Sequence, residues 1–205
     1  MADLLLLSYN QKQIVEVKFG VFRLKKATNL VIKGSKVVSP MRVGIISDTH
    51  IQSLDGGIEL AEKLLRGPFS AVDVILHAGD HIFPDLASCF YPLPWYSVRG
   101  NMDSPQPDFP PQRVVQLADT RIGMIHGWGA PSGIEKRVLE SFSTADIDVL
   151  VFGHSHRPVC RRVGSVLLLN PGSPTDRRSA PHHTVGLLHI GQTGQGVEGE
   201  IIRID

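Results

Sequence analysis

Cysteine is nearly missing from this chain. Cys89 and Cys160 stand alone and no CxxC pair occurs. That excludes a disulfide framework, and two reduced thiols fit a reducing, cytoplasmic compartment. An excess of one charge is missing as well. The net charge of +1 gives no general drive toward nucleic acid or an anionic membrane surface. No apolar run approaches the roughly 20 residues that a bilayer requires. The opening MADLLLLSYNQKQ has four leucines but no basic stretch ahead of them, so no secretory leader is expected. Internal repeats and low-complexity segments are absent too. What remains is 205 residues, 42% hydrophobic and 20% charged, a composition suited to one globular domain with a full core.

The charge that is present is unevenly placed. Residues 1–40 hold seven basic side chains (Lys12, Lys18, Arg23, Lys25, Lys26, Lys33, Lys36) and two acidic ones (Asp3, Glu16), net +5. The remaining 165 residues carry 14 basic and 18 acidic side chains, net −4. Such a shift marks a boundary. It divides the chain into a basic N-terminal extension, 1–40, and a main domain, 41–205. The main domain starts with its own methionine, Met41, so the extension reads as an appended arm or a misassigned start. The alternating VEVKFG inside it also allows a peripheral strand pair.

From Met41 onward short apolar runs alternate with turns. VGIIS (43–47), VDVILHAG (72–79), PWYSVRG (94–100) and DVLVF (148–152) read as buried strands. GIELAEKLLR (57–66) has helical spacing and stops at Gly67-Pro68. Residues 112–117 and 121–125 read as a hairpin turning at Asp119-Thr120. SGIEKRVLESF (132–142) reads as a helix capped by Ser132, with Glu135 at the capping-box spacing. PVCRRV, SVLLLN, TVGLLHI and GEIIRI close the chain as glycine-linked strands. A βαβ beginning followed by antiparallel strands predicts an α/β fold, a layered sandwich of two facing sheets.

Polar residues gather where the apolar runs stop. The strand ends read Asp48-Thr49-His50, Gly79-Asp80-His81, Gly100-Asn101-Met102-Asp103, His126-Gly127 and Gly153-His154-Ser155-His156. In open α/β sheets, sites form beyond the carboxyl ends of strands. One Asp or Asn there is usually a cap, and two histidines at i and i+2 are often a polar loop. Five successive strand ends with this chemistry are not explained by capping. Mixed oxygen and imidazole donors suit Mn²⁺, Fe, Zn²⁺, Co²⁺ or Ni²⁺. These donors exceed the needs of one ion.

The ordered series SDTH, HAGD, RGNMD, IHGWG, VFGHSHRP and LNPGSPTDRR resembles the successive motifs of the calcineurin-like metallophosphoesterases. It is most similar to the small bacterial and archaeal phosphodiesterase branch, to which the retromer scaffold subunit is related. The likeness covers nearly all of residues 41–205. It implies an α/β/β/α sandwich of two mixed sheets around two divalent transition-metal ions, manganese foremost. Asp48, His50 and His156 would hold one ion, Asn101, His126 and His154 the other, and Asp80 would bridge them. The implied activity is hydrolysis of a small phosphoester, foremost a phosphodiester, by a metal-activated hydroxide. Asp48, Asp80, Asn101 and His126 would be the catalytic groups, joined by His81 facing the substrate. A non-catalytic scaffold for protein interaction is the alternative. No nucleic-acid or membrane partner is expected, and a homo-oligomer stays open.

Two positions depart from the pattern. Met102 stands where many relatives carry a proton-donating histidine, which leaves the general acid unassigned. Trp128 stands where a histidine often follows the HG ligand, and it reads either as a packed indole or as a platform for a base or aromatic leaving group. His77 reads as a satisfied core histidine. Arg99, Arg177 and Arg178 read as solvated charges or phosphate contacts. His182 and His183 read as exposed.

Overall fold

The computed structural model describes residues 40–191 and 196–205. The basic segment up to residue 39 lies outside them, and with it the strand pair considered at VEVKFG.

Two five-stranded mixed sheets form the domain. In chain order β1 is Met41–Ile46, β2 Val74–His77, β3 Trp95–Ser97, β4 Gln112–Leu117, β5 Thr120–Ile125, β6 Val149–Val151, β7 Val159–Val163, β8 Val166–Asn170, β9 Thr184–Ile190 and β10 Val197–Arg203. One sheet runs β10-β9-β1-β2-β3 and the other β4-β5-β6-β8-β7. β1 pairs in parallel with β2, and β2 with β3, while β9 and β10 are antiparallel. In the second sheet β5, β6 and β8 are mutually parallel between antiparallel edges.

Side chains alternate across each strand, which divides the apolar residues into three layers. Val43, Ile45, Val74 and Leu76 meet Ile122, Met124, Val149 and Val151 in one layer drawn from both sheets. Ile46, Ile75 and Leu187 pack instead with Leu60, Leu64 and Phe69 of helix α1 (Leu54–Arg66) and its exit. Leu150, Phe152 and Leu168 pack with Ile134 and Val138 of helix α2 (Ile134–Ser141). The layers are therefore α/β/β/α.

Local chemistry explains where the elements begin. Helix α1 starts three residues ahead of the run read from periodicity. The Ser53 side chain accepts from the Gly56 amide at 3.3 Å, and Asp55 sits in the first turn, where the helix dipole favours it. The Gly56-Gly57 pair hid this turn. Gly57 lies against Leu86 and Cys89, members of a 3-10 segment, Pro84–Phe90, that the sequence did not reveal. Two further expectations are corrected. Helix α2 has no Ser132 cap: Gly133, at φ 76°, precedes Ile134, and no side chain caps the first turn. The Ser132 carbonyl accepts from Arg137 instead. The β4–β5 turn is Ala118-Asp119, because Leu117 already pairs with Thr120, and Ala118 takes the left-handed conformation, φ 49°.

Candidate metal centre

Five strands, β1, β2, β3, β5 and β6, end at one edge of the domain, and the turns after them carry the polar residues. The backbone there is unusual. Asp48, His50, Asp80, His154 and His156 have φ of 54°, 45°, 61°, 66° and 55°. Left-handed conformations are uncommon for residues other than glycine, even though Asp and His adopt them more readily than most, and they cluster where the surroundings impose them. Two glycines make room for these turns. A Cβ on Gly153 would stand 1.9 Å from Ser47 Oγ and 2.7 Å from Asp48 Oδ2, and one on Gly100 would stand 2.1 Å from Asp80 Oδ1.

Five candidate ligands converge in two overlapping groups, Asp48–His50–His156 and Asp48–Asp80–His126. Asp48 Oδ1 lies 3.3 Å from His156 Nε2 and 3.8 Å from His126 Nε2. Asp80 Oδ2 lies 3.3 Å from His126 Nε2 and 3.9 Å from His50 Nε2. Both carboxylates thus reach across the two groups, a role that the motif series gave to Asp80 alone. Asn101 and His154 form a third, more exposed pair, with Nδ1 of the ring 2.9 Å from Asn101 Oδ1. The His154 ring stands edge-on to His126 at 5.3 Å.

Each ring is aimed by its other nitrogen. His126 Nδ1 donates to the Ala78 carbonyl at 2.7 Å, His154 Nε2 to the Gly129 carbonyl at 2.9 Å, and His156 Nδ1 to the Asp176 carbonyl. Those bonds fix the tautomers and leave lone pairs directed inward. The inward atoms are poorly matched to one another. His126 Nε2 is buried without a hydrogen-bond partner, despite the nearby carboxylates. His50 Nε2 and His156 Nε2 face each other at 3.3 Å, and His154 Nδ1 faces a carbonyl oxygen. Buried polar groups are normally paired. The His154 amide donates to Asp48 and the Met102 amide to Asp80 Oδ1, but the imidazole nitrogens facing inward lack donors, which fits divalent cations, and imidazole with carboxylate suits transition metals.

The charges respond accordingly. Burial pushes the Asp48 carboxyl up to about 7, against the pull of His126. Burial also opposes charge on Asp80 and His126. Their mutual attraction outweighs it, lowering Asp80 and, with Asp48, raising His126. Burial lowers His50, His154 and His156, which keeps them neutral, as ligands must be.

A second set of residues holds these turns and was missed in the sequence. Asp103 Oδ1 accepts from the His81 and Ile82 amides at 2.7 and 2.9 Å. Its Oδ2 accepts from the Asp80 and Gly100 amides, both at 2.8 Å, and from His81 Nδ1 at 3.0 Å. Burial works against this carboxylate, but the His81 ring and the amides hold its pKa well below the usual range. Ser173 Oγ donates to the Asp48 carbonyl at 2.7 Å and Thr175 Oγ1 to the Thr49 carbonyl. Arg137 donates to the carbonyls of Trp128, Ala130 and Ser132.

His81 is not where it was expected. Its ring is 1% exposed, stacked between His77 at 3.7 Å and Phe109 at 4.5 Å, and tied to Asp103. It faces aromatic neighbours. His77 is a buried, satisfied histidine. Its Nε2 pairs with Thr49 Oγ1 at 3.0 Å and its Nδ1 accepts from the Gly79 amide. Trp128 is not a packed indole, being 48% exposed. Arg177 donates to the Ala180 carbonyl, Arg178 lies 3.6 Å from Asp176, and His182 pairs with Asp205 at 2.8 Å.

Comparison with known proteins agrees with this fold and shows its family. A model of the calcineurin-like phosphoesterase superfamily domain matches residues 41–193. A protein of Methanothermobacter thermautotrophicus named "probable metallophosphoesterase" is 38% identical over 165 residues, covering 80% of this chain and 92% of the relative. Among solved structures, Vps29 of Entamoeba histolytica superposes with a TM-score of 0.61 at 22% identity, covering 80% of this chain and all of that one. A structure described as a novel archaeal phosphodiesterase gives a TM-score of 0.60 at 20% identity, covering 79% and 100%.

Proposed function

Because the chain belongs to the calcineurin-like phosphoesterase superfamily, we propose that it is a phosphodiesterase working with two divalent transition-metal ions. Asp48, His50 and His156 would hold one ion, and Asn101, His126 and His154 the other, with Asp80 shared. Such ions lower the pKa of water toward neutrality and polarise phosphoryl oxygens. The observation that carries this reading is the buried, unpartnered Nε2 of His126, aimed between two carboxylates that both span the ligand groups.

The protein's own part is placement. Asp103 fixes the turn of Asp80 from behind, and the Met102 amide donates to Asp80 Oδ1 at 2.8 Å, leaving Oδ2 free for the site. The hydrogen bonds from His126, His154 and His156 to backbone carbonyls hold three imidazoles in ligating orientation. Neither candidate donor for the leaving group is in place among the described residues. Met102 cannot donate, and His81 is buried, with its Nδ1 held by Asp103. General acid assistance is worth about 10²–10⁴-fold, so esters whose leaving groups need no proton should be the better substrates. An archaeal neighbour described as a phosphodiesterase is consistent with diester substrates.

The test is hydrolysis by Mn²⁺-loaded protein of bis(p-nitrophenyl) phosphate, p-nitrophenyl phosphate and a set of nucleotides, beside Asp80→Ala. Diester cleavage abolished by Asp80→Ala is expected. Failure to cleave any member by protein that holds its metal would favour the scaffold reading.

A further inference from the structure

Six large hydrophobic side chains among the described residues are exposed: Leu54, Ile58, Tyr91, Met102, Val114 and Trp128. Two of them flank one group of ligands. Met102, 55% exposed, follows Asn101, and Trp128, 48% exposed, lies two residues beyond His126. A short chain of bonds connects them. Asn101 Oδ1 meets His154 Nδ1 at 2.9 Å, and His154 Nε2 meets the carbonyl of Gly129, next to Trp128, at 2.9 Å. An exposed thioether and an exposed indole therefore belong to the residues adjoining the two ends of this chain of bonds.

Neither is there through looseness. The Met102 amide is held by Asp80 Oδ1. The Trp128 turn is clamped by Arg137, whose guanidinium donates to three of its carbonyls, Trp128, Ala130 and Ser132. The same guanidinium lies against Gly129, at φ 77°, where an added Cβ would be 3.4 Å from Nη2. Exposing apolar side chains on turns whose backbone is held, beside a candidate ion site, has no folding benefit. It does suit recognition, because a flat ring stacks on indole and thioether sulfur contacts ring edges.

We infer that Met102 and Trp128 form an aromatic-binding rim, and that the substrate is a phosphoester bearing a flat, apolar ester group that stacks there. This rests on the phosphoesterase reading and adds the substrate class to it. The rim binds the organic group while the ligands take the phosphoryl oxygens, and Arg137 is a positioning residue that acts through the turn.

Two measurements test it, one of them independent of turnover. Calorimetric titration compares phenyl phosphate with methyl phosphate on Mn²⁺-loaded protein. Hydrolysis compares phenyl p-nitrophenyl phosphate with methyl p-nitrophenyl phosphate, which share a leaving group and differ only in the remaining ester. A stacked ring should give about a tenfold preference for phenyl in both, from the usual strength of base–aromatic stacking. Trp128→Ala should reduce the ratio to about one, Trp128→Tyr should retain part of it, and Tyr91→Ala, at an exposed aromatic elsewhere, should keep it. Equal affinity for the two phosphates, or a preference that survives Trp128→Ala, overturns the rim. Hydrolysis of both esters without preference refutes the rim and leaves the phosphoesterase reading intact. Preferential binding without hydrolysis does the reverse.

Discussion

Replacing Asp103 by Asn keeps the shape of the side chain and removes one acceptor. In the native protein four buried backbone amides and one ring nitrogen converge on the two carboxylate oxygens, two amides on each oxygen. An amide nitrogen at either position opposes two donors with a third. Each buried donor left unpaired is destabilising by about 1–3 kcal/mol, so the substitution should destabilise by about 2–6 kcal/mol. That is a large part of an ordinary stability of about 5–15 kcal/mol. With about 2–4 °C per kcal/mol at this chain length, Tm should fall by about 4–24 °C in differential scanning calorimetry. The sign with pH is fixed. The folded pKa of Asp103 is depressed, so its stabilisation is fully present above the ordinary Asp value of about 3.9 and fades only as pH falls toward the folded value. The Tm loss should therefore be constant from pH 5 to 8. Asp80 is one of the amides released, so metal content should fall too. A Tm change under 2 °C with full metal content would refute the reasoning.

Further outcomes follow from the same geometry. The folded pKa of Asp48, about 7 without metal, lies above the ordinary value, so its contribution is complete below about pH 3.9 and is lost as pH rises through 7. Since an ion replaces that proton, the gain in Tm on adding Mn²⁺ should grow between pH 6 and 8, and a gain that shrinks over that range contradicts the assignment. Gly153→Ala forces a Cβ into Ser47 and Asp48, and overpacking of this kind is destabilising by about 1–3 kcal/mol; retention of native Tm and metal content would show that the turn yields. Met102→His supplies a ring but not its orienter, because Asp103 is already taken up by five donors. The dependence of kcat/KM on leaving-group pKa should therefore stay steep, and a flattened dependence would show that the new ring donates unaided. A chain starting at Met41 should fold with unchanged Tm, and loss of soluble protein would show that the basic segment completes the core.

Much of this was legible in the sequence, for a physical reason. Strands buried on both faces read as continuous apolar runs, so β1, β2 and β6 stand out, and the polar residues closing them mark the candidate site, whose ligand roles came from the resemblance. The layered sandwich follows from the order of those runs. What escaped depends on contacts that no local pattern encodes. Asp103 looks like a turn residue until four amides from two loops are seen to meet it. Arg137 looks like a solvated helix charge until the turn folds over it. The Ser132 capping box failed because Gly133 takes the left-handed conformation and releases the Ser132 carbonyl to Arg137. His81 was misplaced because adjacency to Asp80 says nothing of the direction its ring takes after a residue at φ 61°.

Titration of metal-stripped protein with Mn²⁺, followed by hydrolysis of bis(p-nitrophenyl) phosphate, tests most directly whether two ions act together in one catalytic centre. Activity should rise to a plateau at two ions per chain and stay near background throughout in Asp80→Ala. A plateau at one ion per chain, or no hydrolysis once two are bound, would contradict the two-ion reading.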